Sequence, residues 1–170
     1  MVLETRTQKM QNVGEVLENN FSQLWPDWLM MNISRTRVLN EVLGNPSDAM
    51  IIQVVCWHHL LVTIIEKENQ TDTFDGAFDA WHEGLSPGNN EVKEKRLTIT
   101  AISLSTALPF ETVRRRVKKL CQTGWLRICD DGGVHYAPTP ENNKKIVEDI
   151  FGAERKLLLS FLAKFAKLST

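Results

Sequence analysis

Five cations fall within six consecutive positions, Arg114-Arg115-Arg116-Val117-Lys118-Lys119. A cluster this dense suits a polyanion, because each Lys or Arg that reaches a phosphate releases a condensed counterion. On a helix turning about 100° per residue, Val113, Val117 and Leu120 share one face. The opposite face then carries Glu111, Thr112, Arg115, Lys118, Lys119 and Gln122, with Arg114 and Arg116 on the flanks. One apolar stripe with cations around the rest is the pattern of a helix suited to a major groove, which admits a single helix between walls of phosphate.

Other chemistry-bearing residues form weaker sets. Cys56 and His59 stand three apart with His58 beside them, but two ligands do not make a structural zinc site, which takes four. They read as a core cysteine with half-buried histidines, and no metal is expected. Trp57, His58 and Trp81 are candidates to line a small effector pocket, although aromatic core packing is the reading favoured. Acidic residues gather between Asp72 and Glu83 without a nucleophile and base in supporting context. Gly-rich phosphate loops of the GxGxxG and GxxxxGK[ST] kinds are absent. No catalytic signature is found, so neither an enzyme nor a cofactor is expected.

Charge is divided along the chain. Residues 1–92 carry 5 Lys/Arg against 13 Asp/Glu, whereas residues 93–170 carry 15 against 8. A basic half following an acidic one points to a polyanion partner for the C-terminal part. Charge alone does not separate DNA from RNA. Apolar content of 42% and charged content of 24% are those of a globular chain. Cys56, Cys121 and Cys129 form no CxxC pair, which fits a reducing cytoplasm. The opening MVLETRTQKM lacks the apolar run of a signal peptide. The most apolar stretch, residues 49–65, is interrupted by Gln53, His58 and His59, and reads as a core or dimer helix rather than a membrane span.

The elements that must position the cations can be read from punctuation. Met10, Val13, Val16, Leu17, Phe21 and Leu24 make one stripe of a helix over residues 3–24. Pro26 is suited to the first turn of a second helix over 27–43, which Gly44 stops. Asn45 or Ser47 then caps a third, over 48–67, apolar nearly all round. Residues 69–92 are acidic and turn-rich, an expected linker with a short helix over 74–82. Thr98 caps a short helix, Ala107-Leu108-Pro109 forms a turn, and residues 110–123 form the cationic helix, closed by Gly124. Trp125 to Cys129 alternates as a strand. Asp130-Asp131-Gly132-Gly133 makes a hairpin turn, and residues 134–137 return as its partner. Thr139 caps, and Pro140 opens, a long final helix over 141–168 that is oily on one face.

Helix, turn, helix and ribbon in this order resemble the winged helix-turn-helix superfamily of bacterial transcriptional regulators. The resemblance is carried by residues 98–103 as the supporting helix and Ala107-Leu108-Pro109 as the turn. It continues through Thr112-Val113-Arg114-Arg115-Arg116-Val117-Lys118-Lys119-Leu120 as the recognition helix, with Gly124-Trp125-Leu126 entering the wing and Tyr136-Ala137-Pro138-Thr139 leaving it. It spans about 45 residues and does not resolve a subfamily. It implies sequence-specific binding of double-stranded DNA, with Thr112 and Arg115 near base edges and Lys119 and Gln122 further along the helix. Arg114, Arg116 and Lys118 would reach phosphate. Arg127 and His135 would be the wing contacts, since Asp130 and Asp131 at the tip would repel phosphate.

The expected architecture is mainly α with a small β-ribbon. An N-terminal helical region over 1–68 serves dimerisation or an effector, followed by the linker, a winged helix-turn-helix over 93–138 and the C-terminal helix over 139–170. That last helix is expected to pack on the N-terminal helices or on a partner subunit. The oily faces of residues 49–65 and 146–168 suggest a homodimer, and DNA binding would place the protein in the cytoplasm at the nucleoid. The alternative is a winged helix serving as a protein-interaction adaptor.

Overall fold

Caps and left-handed residues divide the chain much as its sequence suggests. The computed structural model describes residues 13–66 and 96–169, with Gly76, Asp79, Glu83 and Leu85 between them. The expected linker over 69–92, its short helix and Trp81 therefore lie largely outside the described residues, as does the start of the expected first helix. The fold is mainly helical, with one two-stranded antiparallel sheet. Among the described residues, no helix is long and apolar enough to cross a membrane.

Residues 13–19 are helical and end in a turn at Asn20, whose backbone N–H and side-chain Nδ2 both donate to the Val16 carbonyl. Helix α1 then runs from Phe21 to Leu43. Pro26 was expected to open a helix at Asp27, yet it lies inside α1. Proline here removes one bond, to the Ser22 carbonyl, at a position where both residues are exposed. The turn before it is held by Phe21 and Trp25, stacked with ring centroids 5.2 Å apart. Gly44 ends α1 at φ +70°. Asn45 Oδ1 accepts from the N–H groups of Ser47 and Asp48, at 2.9 and 3.3 Å, and so caps α2, Pro46–Glu66.

Helix α3, Ile99–Thr106, starts from Thr98, whose hydroxyl accepts from Ala101 N–H at 3.1 Å. Helix α4, Phe110–Gln122, follows. Strands β1, Leu126–Ile128, and β2, Val134–Tyr136, pair in the register Leu126 with Tyr136 and Arg127 with His135. The last helical stretch is not uniform. Helix α5, Pro140–Lys144, passes into a π-helical segment, Lys145–Phe151, and then into α6, Gly152–Leu168. The wider turn leaves Ile146 and Ile150, four residues apart, both buried.

Two compact units result. The first joins residues up to Val42 to those from Lys145 onward. In it, α1 and α6 run antiparallel, with Arg35 paired to Glu154, Asp27 to Lys164, and Trp28 packed on Phe161 at 5.7 Å. The second unit, Leu43–Lys144, holds α2 through α5 and the ribbon. Its core is Ile51, Ile52 and Val55 of α2 against Ile102, Val113, Val117 and Val134, all at most 2% exposed. From sequence, residues 46–66 fall with the N-terminal region. In the structure α2 instead packs on α3, α4 and β2. Its Ala49, Cys56 and Val62 are covered as well, so much of the surface expected to serve dimerisation is occupied by the chain itself.

Candidate nucleic-acid interface

Helix α4 follows α3 through a turn that the local side chains lock. Ala107 adopts a left-handed conformation, φ 55°. Thr106 Oγ1, buried, donates to the Ile102 carbonyl at 2.7 Å and accepts from Leu108 N–H at 3.3 Å. Ser103 Oγ donates to the Leu108 carbonyl at 2.7 Å. These bonds satisfy the polar groups at the end of α3 and fix the direction in which α4 departs.

The far end of α4 is clamped as firmly. Gly124 takes φ +70°, and a Cβ there would lie 2.6 Å from Thr139 Cγ2. Asn142, buried on α5, donates both Nδ2 hydrogens, to the Thr123 and Gly124 carbonyls at 2.9 Å each. Thr139 N–H donates to the Gly124 carbonyl, and Thr139 Oγ1 accepts from Asn142 N–H at 3.3 Å. Asn142 was not singled out in the sequence. An Asn in a first helical turn carries no signal of the carbonyls it will meet.

Between these anchors Val113, Val117 and Leu120 are 0–4% exposed, which fixes the rotation of α4. Arg114, Arg115, Lys118, Lys119 and Gln122 are exposed, and Thr112 is half-buried. Glu111, Thr112, Arg114, Arg115 and Lys118 together border an open concavity of about 430 Å³. Arg114 Nε donates to Glu111 Oε2 at 2.9 Å, so one cation and the one anion of this face lie together.

Arg116 behaves differently from its neighbours. Its Nη1 lies 3.3 Å from Asp48 Oδ2, in a pair whose side chains are 24% and 5% exposed. It was expected to reach phosphate, but the structure turns it inward onto α2. Asp48 sits in the first turn of α2, where a carboxylate suits the helix dipole. A partner so distant in sequence leaves no local trace.

Arg127 is exposed on β1, opposite half-buried His135. Burial lowers the His135 pKa, with Arg127 adding to the effect and Asp131 opposing it, so the imidazole is held toward its neutral form. The acidic tip stabilises its own turn, where Asp131 Oδ1 accepts from Gly133 N–H at 2.8 Å and Gly132 takes φ +79°. Arg96 Nη1 donates to the Asp131 carbonyl, while Val134 N–H donates to the Leu97 carbonyl at 2.8 Å. Arg96 is therefore a cation beside the ribbon, and nothing in its sequence context marked it as one.

In the Cys56–His59 set only the cysteine belongs to the core of this unit, with His58 and His59 half-buried. Cys56 is buried, and the His59 ring lies 5.6 Å from that of Tyr136. Burial, reinforced by Cys56, pushes the Tyr136 hydroxyl far above its ordinary pKa. No three His, Cys, Asp or Glu side chains converge to hold a metal among the described residues. Comparison of the chain with protein-family models, with curated proteins and with solved structures found no match.

Proposed function

We propose that the unit Leu43–Lys144 is a winged helix-turn-helix that binds double-stranded DNA, and that the protein is a transcriptional regulator. The observation that carries this reading is the division of α4. Its apolar stripe is fully covered, while Thr112, Arg115, Lys118, Lys119 and Gln122 all lie on the other side, on a helix held at both ends. In this reading α4 enters the major groove, Thr112 and Arg115 lie nearest the base edges, and Arg114, Lys118 and Lys119 contact the groove walls. Arg127 and Arg96 flank the ribbon and meet the neighbouring backbone. Arg116 is withdrawn from the contact set. DNA binding would place the protein with the nucleoid, and a homodimer would present two such helices to successive grooves.

An adaptor that binds protein draws its support from Glu111 and the acidic ribbon tip, which disfavour phosphate. The Arg114 pair and the turn-forming role of Asp131 answer both points. The test is Arg115→Ala on a duplex obtained by binding-site selection. Loss of about 1–3 kcal/mol of specific binding with the fold intact is the expected result. Unchanged affinity in a folded variant removes α4 from the interface.

A further inference from the structure

The unit formed by α1, the π-helical segment and α6 has a thin core, drawn from Leu24, Leu39, Ile146 and Ile150 among the described residues. A helix must cover its apolar stripe against another element. Here α6 has no buried residue at all, and Leu158, Leu159 and Leu162 are 49%, 56% and 49% exposed. On α1, Phe21, Trp25, Leu29 and Ile33 recur every fourth residue and are 44–61% exposed. Spacing of four makes a continuous ridge, the kind that seats in the grooves of another helix.

The amount of such surface decides what covers it. Among the described residues, eleven of the seventeen exposed large apolar side chains belong to this unit. At roughly half exposure each shows on the order of 100 Å², so the four ridge residues with Leu158, Leu159 and Leu162 show about 700 Å², beyond the ~300–600 Å² of the largest patch on a typical monomer. It matches the ~800 Å² that each partner contributes to a stable interface. The ridge itself carries no charge. The cations of α1 are engaged within the unit, Arg35 with Glu154 and Arg37 with Glu41, so the ridge itself offers little to a nucleic acid or to an anionic lipid headgroup.

We propose that the α1–α6 hairpin closes against a second copy of the chain, forming a four-helix bundle with Phe21, Trp25, Leu29 and Ile33 at its seam. A two-fold contact is self-complementary, so one ridge serves both sides, and two antiparallel hairpins are a common route to a bundle. The seam lies on α1 and α6. The apolar helix of residues 46–66, whose Ile51, Ile52, Val55 and Val62 are already buried, is not part of it.

Sedimentation equilibrium of the full chain across the micromolar range, without DNA, tests this independently of the nucleic-acid reading. The parent is a dimer. Ile33→Glu, at a position 61% exposed, raises the dimer dissociation constant about a hundredfold by placing an unpaired charge in a dry seam. Ile33→Ala, which adds no charge and keeps the helix, raises it about tenfold. Trp57→Glu, on α2 and 59% exposed, leaves it unchanged. A monomeric parent overturns the proposal, and co-sedimentation of that monomer with phosphatidylcholine–phosphatidylserine vesicles would assign the ridge to a membrane. A dimer indifferent to both Ile33 variants, or abolished by Trp57→Glu, overturns the assigned face.

Discussion

Replacing Arg116 by Met removes the cation from a carboxylate that is 5% exposed and keeps most of the side-chain volume. Asp48 Oδ1 has no hydrogen-bond partner, so only the N-terminal end of α2 still favours the charge when Arg116 is lost. Breaking a buried pair from one side costs about 3–5 kcal/mol, and the low end applies here because Arg116 is 24% exposed and the site is not fully dry. The expected loss is about 3 kcal/mol, or roughly 6–12 °C in Tm for a chain of this size. Asp48→Asn is milder, about 1–2 kcal/mol, because the guanidinium left behind can turn toward water. The double variant, with no charge at either position, loses about 1–2 kcal/mol where addition of the single losses would give about 4–5 kcal/mol, a coupling of about 3 kcal/mol. Urea unfolding of the parent, the two single variants and the double variant gives that coupling directly. A fifth variant, Arg116→Gln, leaves the dependence of DNA affinity on salt unchanged, whereas Arg115→Gln lowers its log–log slope by about one unit. Additive single losses, together with a reduced slope for Arg116→Gln, would refute the inward role of Arg116.

Gly124→Ala should destabilise by at least about 2 kcal/mol, since a left-handed φ and a 2.6 Å approach to Thr139 Cγ2 act together; chemical denaturation measures it, and a neutral result would contradict the clamp. Ala107→Gly should stabilise by about 1 kcal/mol, because φ 55° strains any residue with a Cβ; a lower urea midpoint would count against it. Asn142→Ala should cost about 1–3 kcal/mol, leaving the Thr123 and Gly124 carbonyls without their donor, and a variant as stable as the parent would show the clamp to be dispensable. His135 has a lowered folded pKa, so its unfolded form binds more protons as pH falls. Its contribution to stability is full above about pH 6.5 and is lost below that as pH falls through the folded value. His135→Gln should flatten this part of the stability profile, and an unchanged profile would exclude His135 as its source.

Much of this was legible because local rules carried it. Gly44 and Gly124 as stops, Thr98 and Thr139 as caps, the Asp-Asp-Gly-Gly hairpin and the stripe of Val113, Val117 and Leu120 each depend on neighbours within a turn or two. Pro26 was misplaced because its effect depends on whether the preceding turn is held, and the Phe21–Trp25 stack that holds it is a matter of side-chain packing. The π-helical segment left no signal, since its residues are those of an ordinary amphipathic helix. Arg116, Asp48 and Asn142 could not be assigned from sequence, because their partners lie 68 and 18–19 residues away and only folding brings them together. Five cations within six adjacent positions form one charge run in the sequence. Burial is what separates the inward arginine from the outward ones.

The central claim, that α4 presents its outward cations to duplex DNA, is tested most directly by the salt dependence of binding. The unmodified protein should bind a random-sequence duplex at low salt, and log affinity should fall linearly against log salt. Arg114, Arg115, Lys118 and Lys119 on the open face imply a slope of about −3 to −4 per protomer, at about 0.9 per phosphate neutralised. Absence of binding to any duplex at low salt, or binding indifferent to salt, would contradict the claim and leave the protein-adaptor reading in its place.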